Sequence, residues 1–389
     1  MNVVRLPLAV ILGSALWLVA CGDSTSDVAA DKEPTTPSAA VYHVDVDGNL
    51  PDNALGKTVN STRYFPKVLQ AHPGDTVVFD LRDSGDPHTV ALGSYVDKAA
   101  AAAAAAEKAG EPPDGPPPAE VLAVPALLPE GPGDAIPAGA QPCYQETGAP
   151  PLKEACAVPA GESFNGTESL VSSGWLTAEQ PFTVKLGKAM SPGTYTFYCQ
   201  LHGTSMSGTV TVVDAATKIP SPEEVRATAQ QELEAELALL KPAEAALAAA
   251  TDAKPLAGAL SMQARDTYVA AFAPENVKVP VGGTVTWTLQ GVHSIAVEAP
   301  ADAQALRVAA PDGSVHLNPK VVAPAGGPGF AGPGGSIDGG SYKGGFRNSG
   351  LAISFPPKFS TFSLKFPEAG TFSLLCGVHE GMKGTVTVG

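Results

Sequence analysis

Two stretches decide how the chain is read: FYCQLHGTSMSGTVTVV (Phe197–Val213) and LLCGVHEGMKGTVTVG (Leu374–Gly389). Each passes from an apolar strand end through a cysteine, a histidine and a methionine into a second strand of the form GTVTV. Alternation of β-branched with polar residues on both sides of a short loop is the pattern of half-buried strands. Upstream, TVVFDL (Thr76–Leu81) and TVTWTL (Thr284–Leu289) are further alternating runs, and each leads to a histidine, His88 and His293. Between them lie SSGWL (Ser172–Leu176) and NSGL (Asn348–Leu351). The same features in the same order define an internal repeat of domain length.

Either loop alone is ambiguous. A lone C-x-x-H is a weak metal signal, and methionines near strands are usually core fillers. Zinc would call for a second Cys/His pair, whereas His43, His72 and His316 stand singly with no thiol beside them. Recurrence of histidine, cysteine, histidine and methionine on equivalent strands carries the reading. One thiolate and two imidazoles with a weak axial thioether suit copper in both of its oxidation states. A short loop can present three of these groups, and the second histidine must come from a neighbouring strand.

With these residues in place, both halves resemble cupredoxins, the blue (type 1) copper family of the plastocyanin, amicyanin and pseudoazurin kind. The resemblance implies one type 1 copper per half, held by His88, Cys199, His202 and Met206 in the first and by His293, Cys376, His379 and Met382 in the second. It also implies that His202 and His379, on the loops, are exposed electron ports and that His88 and His293 are buried. The loops differ: the first spaces its ligands as C-x2-H-x3-M, one residue longer than the C-x2-H-x2-M of the second. The implied fold is all-β, two tandem Greek-key β-sandwich domains over 41–214 and 261–389.

His88 lies 111 residues before Cys199, and His293 lies 83 before Cys376, so insertions must loop out of each sandwich. In the first domain the insertion spans about 97–168 and opens with DKAAAAAAAAEKAG, expected as a short exposed helix capped by Asp97. In the second, a Gly-rich excursion over about 324–345 has little means of packing. The Ala/Glu-rich segment 215–260 reads as a helical linker broken at Pro242, the alternative being a solvated tether.

The first twenty residues read as an export signal, with Arg5 ahead of an apolar run. Leu18-Val19-Ala20-Cys21 resembles a lipobox, which implies cleavage before Cys21, lipidation of its sulfur and a flexible tether over 21–40. The chain is thus expected to be exported and lipid-anchored to a bacterial membrane, on its periplasmic or cell-surface side. In such a compartment Cys143 and Cys156 are expected to close a disulfide, the alternative being free or metal-binding thiols. That leaves Cys199 and Cys376, which could also bond to each other.

The length of 389 residues with 44% hydrophobic content accommodates more than one core, and 41 glycines and 37 prolines argue for turns rather than a helical bundle. A net charge of −15 offers no basic patch for a phosphate backbone, so nucleic acid is not an expected partner. Copper enzymes are disfavoured by counting. A trinuclear cluster needs more histidines than the seven present, four of them already assigned. Residues Tyr198 and Leu375 stand where a type 1 site wired to a catalytic copper has a relay histidine. The expected function is one-electron transfer between a redox donor and an acceptor protein, with copper sequestration or delivery as the alternative.

Overall fold

The computed structural model describes residues 39–47, 58–81, 88–109, 161–174, 176, 181–264, 267–309, 315–324 and 334–389. Cys21, Cys143 and Cys156, and with them the lipidation and disulfide expectations, lie outside the described residues. So do the export signal, the tether up to Ser38 and most of the first insertion.

The architecture is all-β with packed helices. The run VYHVDV (Val41–Val46) buries every second residue, as a strand with one face on a core must. It pairs in parallel with Thr76–Leu81 in a five-stranded sheet whose order is 64–65, 41–46, 76–81, 182–186, 161–164. A second five-stranded sheet has the order 68–71, 203–212, 193–199, 91–92, 171–172. Val44, Phe79 and Phe182 from the first sheet share one buried cluster with Phe197, Met206 and Val210 from the second, so the two are faces of a sandwich. Within it the Tyr64, Phe79 and Phe197 rings meet edge to face, with centroids 5.0 to 6.2 Å apart. Each such buried ring contributes roughly 1.5–3 kcal/mol of burial free energy.

The second half repeats this plan. Asn276–Val279, Lys383–Val388, Gly370–Leu375, Ala296–Val297 and Arg347–Asn348 form one sheet. The facing sheet has six strands, in the order 58–61, 267–273, 256–260, 284–289, 361–365, 336–341. Trp287 and Phe362 of this sheet pack with Leu374 and Val386 of the other. Both halves are mixed rather than purely antiparallel, and the parallel pairs recur: 68–71 with 203–212, and 276–279 with 383–388.

One strand crosses the repeat. Thr58–Ser61 precedes the first sandwich's central strands, yet it pairs antiparallel with Thr267–Ala273, with Asn60 opposite Tyr268 and Ser61 opposite Thr267. The expected linker 215–260 is helical and docked over Pro222–Ala238 and Lys241–Ala248, but its last residues, Leu256–Leu260, are a strand of the six-stranded sheet. Ser221 and Glu224 close a capping box at the start of Pro222–Ala238, whose Ala229 and Leu233 pack on Phe65. Lys241–Ala248, with Pro242 in its first turn, lays Ala243 and Leu247 against Val59, Val269 and Ala271. At the junction Glu236, 5% exposed, joins Arg63 at 2.5 Å and accepts from the Thr267 hydroxyl at 2.8 Å.

Two further expectations are corrected here. The alanine-rich helix begins at Ser94, so Asp97 sits inside its first turn rather than at the cap. Its leading amides are satisfied by the carbonyls of Glu168 and Ser169, and the Asp97 carboxylate instead accepts from Thr196 N at 2.9 Å. The Gly-rich excursion does pack over part of its length. Ser336–Ser341 is a strand parallel to Thr361–Lys365, with Ile337 and Tyr342 buried.

Candidate metal centres

The elements that deliver each site follow from the repeat. In the second half the strand Gly370–Leu375 ends at Cys376, His379 and Met382 lie on the loop to Lys383–Val388, and His293 ends the short strand Gly291–His293. Cys376, His379, His293 and Met382 are all buried. His293 Nδ1 lies 3.9 Å from Cys376 Sγ, His379 Nδ1 lies 3.6 Å from it, and the two nitrogens are 3.0 Å apart.

The outer nitrogen of His293 assigns its tautomer. His293 Nε2 faces the Gln290 carbonyl at 3.0 Å, which can only accept, and His379 Nε2 faces the Tyr268 hydroxyl at 3.2 Å. His293 thus carries its proton on Nε2 and turns an Nδ1 lone pair towards the cysteine, whereas the Tyr268 hydroxyl, which can donate or accept, is compatible with either tautomer of His379. Burial, together with nearby His379, holds the His293 imidazole below its usual range against the pull of Cys376. For Cys376, burial pushes the thiol up, but the contacts with His293 and His379 and their charge outweigh it and leave it well below the usual thiol range. Neutral imidazoles and a thiolate are the forms that bind metal.

The triangle fits one shared ion. Two nitrogens about 2.0 Å from a metal at about 100° are about 3.1 Å apart, and a sulfur at about 2.3 Å and 120° from each is about 3.7 Å away. A soft sulfur with two imidazoles is the donor set that suits copper.

The first half assembles the same groups. The described residues contain two clusters of thiol and imidazole ligand atoms lying within 4.8 Å of one another: His88 with Cys199 and His202, and His293 with Cys376 and His379. His88 and Cys199 are fully buried and His202 is half-buried. Both ring nitrogens of His88 and Nδ1 of His202 are buried without a hydrogen-bond partner, and His88 Nε2 is ion-paired with Asp47, which leaves an Nδ1 on each ring open to a ligand. For Cys199, burial raises the thiol, and His202 and His88 outweigh it and hold it well below the usual range. Burial pulls the His88 imidazole down, but Asp47 and Cys199 push it up to about 10. Both Cys199 and Cys376 are free thiols, so they are not bonded to each other.

Met206 and Met382 lie in the same buried clusters as Cys199 and Cys376 respectively. The extra residue of the first loop is absorbed by a register slip. Tyr198 pairs with Ser207 but Cys199 pairs with Gly203, so residues 204–206 bulge and bring Met206 to a fully buried position. The exposure expected for His379 is corrected: it is 1% exposed beneath Tyr268, which is itself buried.

Four hydroxyl residues complete the sites. Thr89 and Ser294, each following the buried histidine, donate backbone N–H to the cysteine sulfur at 3.4 Å. Their hydroxyls accept from the amide after the cysteine, Gln200 N at 2.8 Å and Gly377 N at 2.9 Å. Ser173 and Ser349 accept from Val90 N and Ile295 N, each at 2.8 Å, and donate to Gly174 O and Gly350 O. The SSG and NSG signals in the repeat are these serines, although the pattern alone did not disclose their role.

No protein family and no curated protein matches the chain. Among solved structures it is similar to a purple cupredoxin from Nitrosopumilus maritimus, at 17% identity over 35% of this chain and 99% of that one, TM-score 0.19. It is also similar to dithionite-reduced auracyanin from Roseiflexus castenholzii, at 16% identity over 45% and 98%, TM-score 0.23. A Cu(I) form of an amicyanin variant matches at 14% identity over 45% and 83%, TM-score 0.20.

Proposed function

We propose that the chain is a two-centre copper protein that carries single electrons, with His88, Cys199 and His202 holding one ion and His293, Cys376 and His379 the other. The observation that carries this reading is the buried triangle of His293 Nδ1, His379 Nδ1 and Cys376 Sγ, with sides of 3.0, 3.6 and 3.9 Å that fit one shared cation. Met206 and Met382 are the proposed axial thioethers. Copper, when bound, supplies a one-electron couple.

The chain's own residues do the rest. Strand ends place Cys199, Cys376 and His293, and burial holds His88 and His379 beside them, so the ligands need move little when the charge at the centre changes. Thr89 and Ser294 aim amide dipoles at the sulfurs and stabilise thiolate charge. Burial excludes water and bulky substrates, which favours a carrier over an enzyme. Donor and acceptor are proposed to be redox proteins. We further propose an exported, lipid-anchored protein, with Cys21 as the attachment point. No helix among the described residues is long and apolar enough to cross a membrane.

Copper stoichiometry and paramagnetic resonance on the wild type, Cys199→Ser and Cys376→Ser test the proposal. Two type 1 signals, each removed by its own substitution, are expected. Absence of an intense thiolate-to-copper visible band after Cu(II) loading would overturn it. Voltammetry separates the sequestration alternative, which requires sluggish redox and ready copper transfer to an acceptor.

A further inference from the structure

The two centres are built alike from their ligands inwards, but they differ at one position just outside. Strand register identifies it. Val46 pairs with Leu81 in the first half, and Ala257 pairs with Leu289 in the second, through the equivalent parallel strand pairs. The next residues are therefore counterparts: Asp47 and Gly258. Both have left-handed backbones, with φ of +58° and +80°. Both also stand against Nε2 of the buried histidine. A Cβ on Gly258 would collide with His293 Nε2, whereas Asp47 reaches its Oδ2 to within 3.2 Å of His88 Nε2.

Asp47 is held there at a cost. Left-handed backbone disfavours residues with a Cβ by roughly 1–2 kcal/mol, though aspartate tolerates it better than most. Its side chain is fully buried, where an ionised carboxylate needs partners. Its Oδ1 accepts from Ser61 N, and its own backbone N–H donates to Arg63 O at 3.0 Å. One carboxylate oxygen is thus hydrogen-bonded to the strand 58–61, and the other is ion-paired with the His88 ring without hydrogen-bond geometry. In the second half the same ring nitrogen meets only the neutral Gln290 carbonyl.

A carboxylate on the outer nitrogen makes an imidazole a stronger donor at its inner nitrogen, and a buried negative charge favours the more positive metal state. We propose that Asp47 is a positioning residue that sets the reduction potential of the Cys199 centre below that of the Cys376 centre. The inference rests on the copper-carrier reading. An electron delivered by an external one-electron reductant to the more accessible first centre then has a downhill destination within the chain. The couple at the first centre is oxidised, that at the second is reduced, and no bond need form or break.

The test uses the two single-site proteins, Cys376→Ser and Cys199→Ser, each with and without Asp47→Asn. Asparagine keeps the shape and the tolerance of left-handed backbone but removes the charge. Redox titrations followed by the visible band should place the first centre lower. Asp47→Asn should raise the Cu(I)/Cu(II) ratio of the first centre at least tenfold at fixed ambient potential, about 59 mV for one electron, and leave the second unmoved. Asp47→Gly, which reproduces the residue of the second half, should do the same. In copper-free protein, Asp47→Asn should also move the ¹⁵N resonances of His88 and not those of His293. A copper band with an unmoved potential, or an equal shift at both centres, overturns the inference alone. No band in either single-site protein overturns the copper reading and the inference with it.

Discussion

His379 Nε2 and the Tyr268 hydroxyl lie 3.2 Å apart, and this contact both covers the loop histidine and fixes which of its nitrogens faces Cys376. Tyr268 comes from Thr267–Ala273, the strand next to the edge of the six-stranded sheet, so the second centre is roofed by its own sandwich. His202, its counterpart, is half-buried.

Access to the two centres should therefore differ. A small external one-electron reductant is expected to reduce the Cys199 centre several-fold faster than the Cys376 centre in stopped-flow measurements on the single-site proteins. Tyr268→Ala should narrow the gap by uncovering His379. Equal rates in the single-site proteins would contradict the burial argument.

Metal removal should destabilise the fold, because an ion held by buried ligands binds the native state and not the unfolded chain. A metal present at a thousand times its dissociation constant stabilises the native state by about 4 kcal/mol per site. Differential scanning calorimetry should show a rise of several degrees on adding Cu(II) or Zn(II), reversed by a chelator. The doubly substituted Cys199→Ser/Cys376→Ser protein should show little of it.

Gly258→Ala is expected to damage only the second centre. The added methyl meets His293 and the Gln290 carbonyl, and overpacking of this kind costs about 1–3 kcal/mol. Paramagnetic resonance of the copper-loaded variant should retain the Cys199 signal and lose or distort the other. An intact pair of signals would show that the strand yields more readily than the geometry implies.

Ser294→Ala should leave the buried Gly377 amide without its acceptor, at a cost of roughly 1–3 kcal/mol. Thr89→Val should cost less, because Gln200 N is only partly buried. Chemical denaturation reads the stability, and the thiolate-to-copper band reports any loss of cysteine positioning. Loss of stability with an unchanged band would assign these hydroxyls to scaffold alone.

The strands were legible because alternation survives in runs such as TVVFDL and TVTWTL, and the ligand groups because they recur in order. The rest depended on three-dimensional register. TVNS is too short and too polar for its sequence to say which sheet it joins. The Asp47/Gly258 correspondence exists only through parallel pairing with Leu81 and Leu289. The roles of Thr89 and Ser294 are set by where the backbone after each cysteine passes. SIDGGS reads as loop because a strand held by backbone hydrogen bonds needs few of its side chains, and here Ile337 and Gly339 alone face inwards.

The pairing of Thr58–Ser61 with Thr267–Ala273 has a consequence for solubility. The run TYVAAFA is apolar along its length and buried at every residue, with the linker helix Lys241–Ala248 on one side and its sandwich on the other. Left unpaired, such a strand would present an open edge to any passing chain, the geometry from which intermolecular β-assembly starts. Four residues from the first half occupy that edge. The first half thus acts as a guard against aggregation for the second, and a second half expressed alone would be exposed at the strand that carries Tyr268.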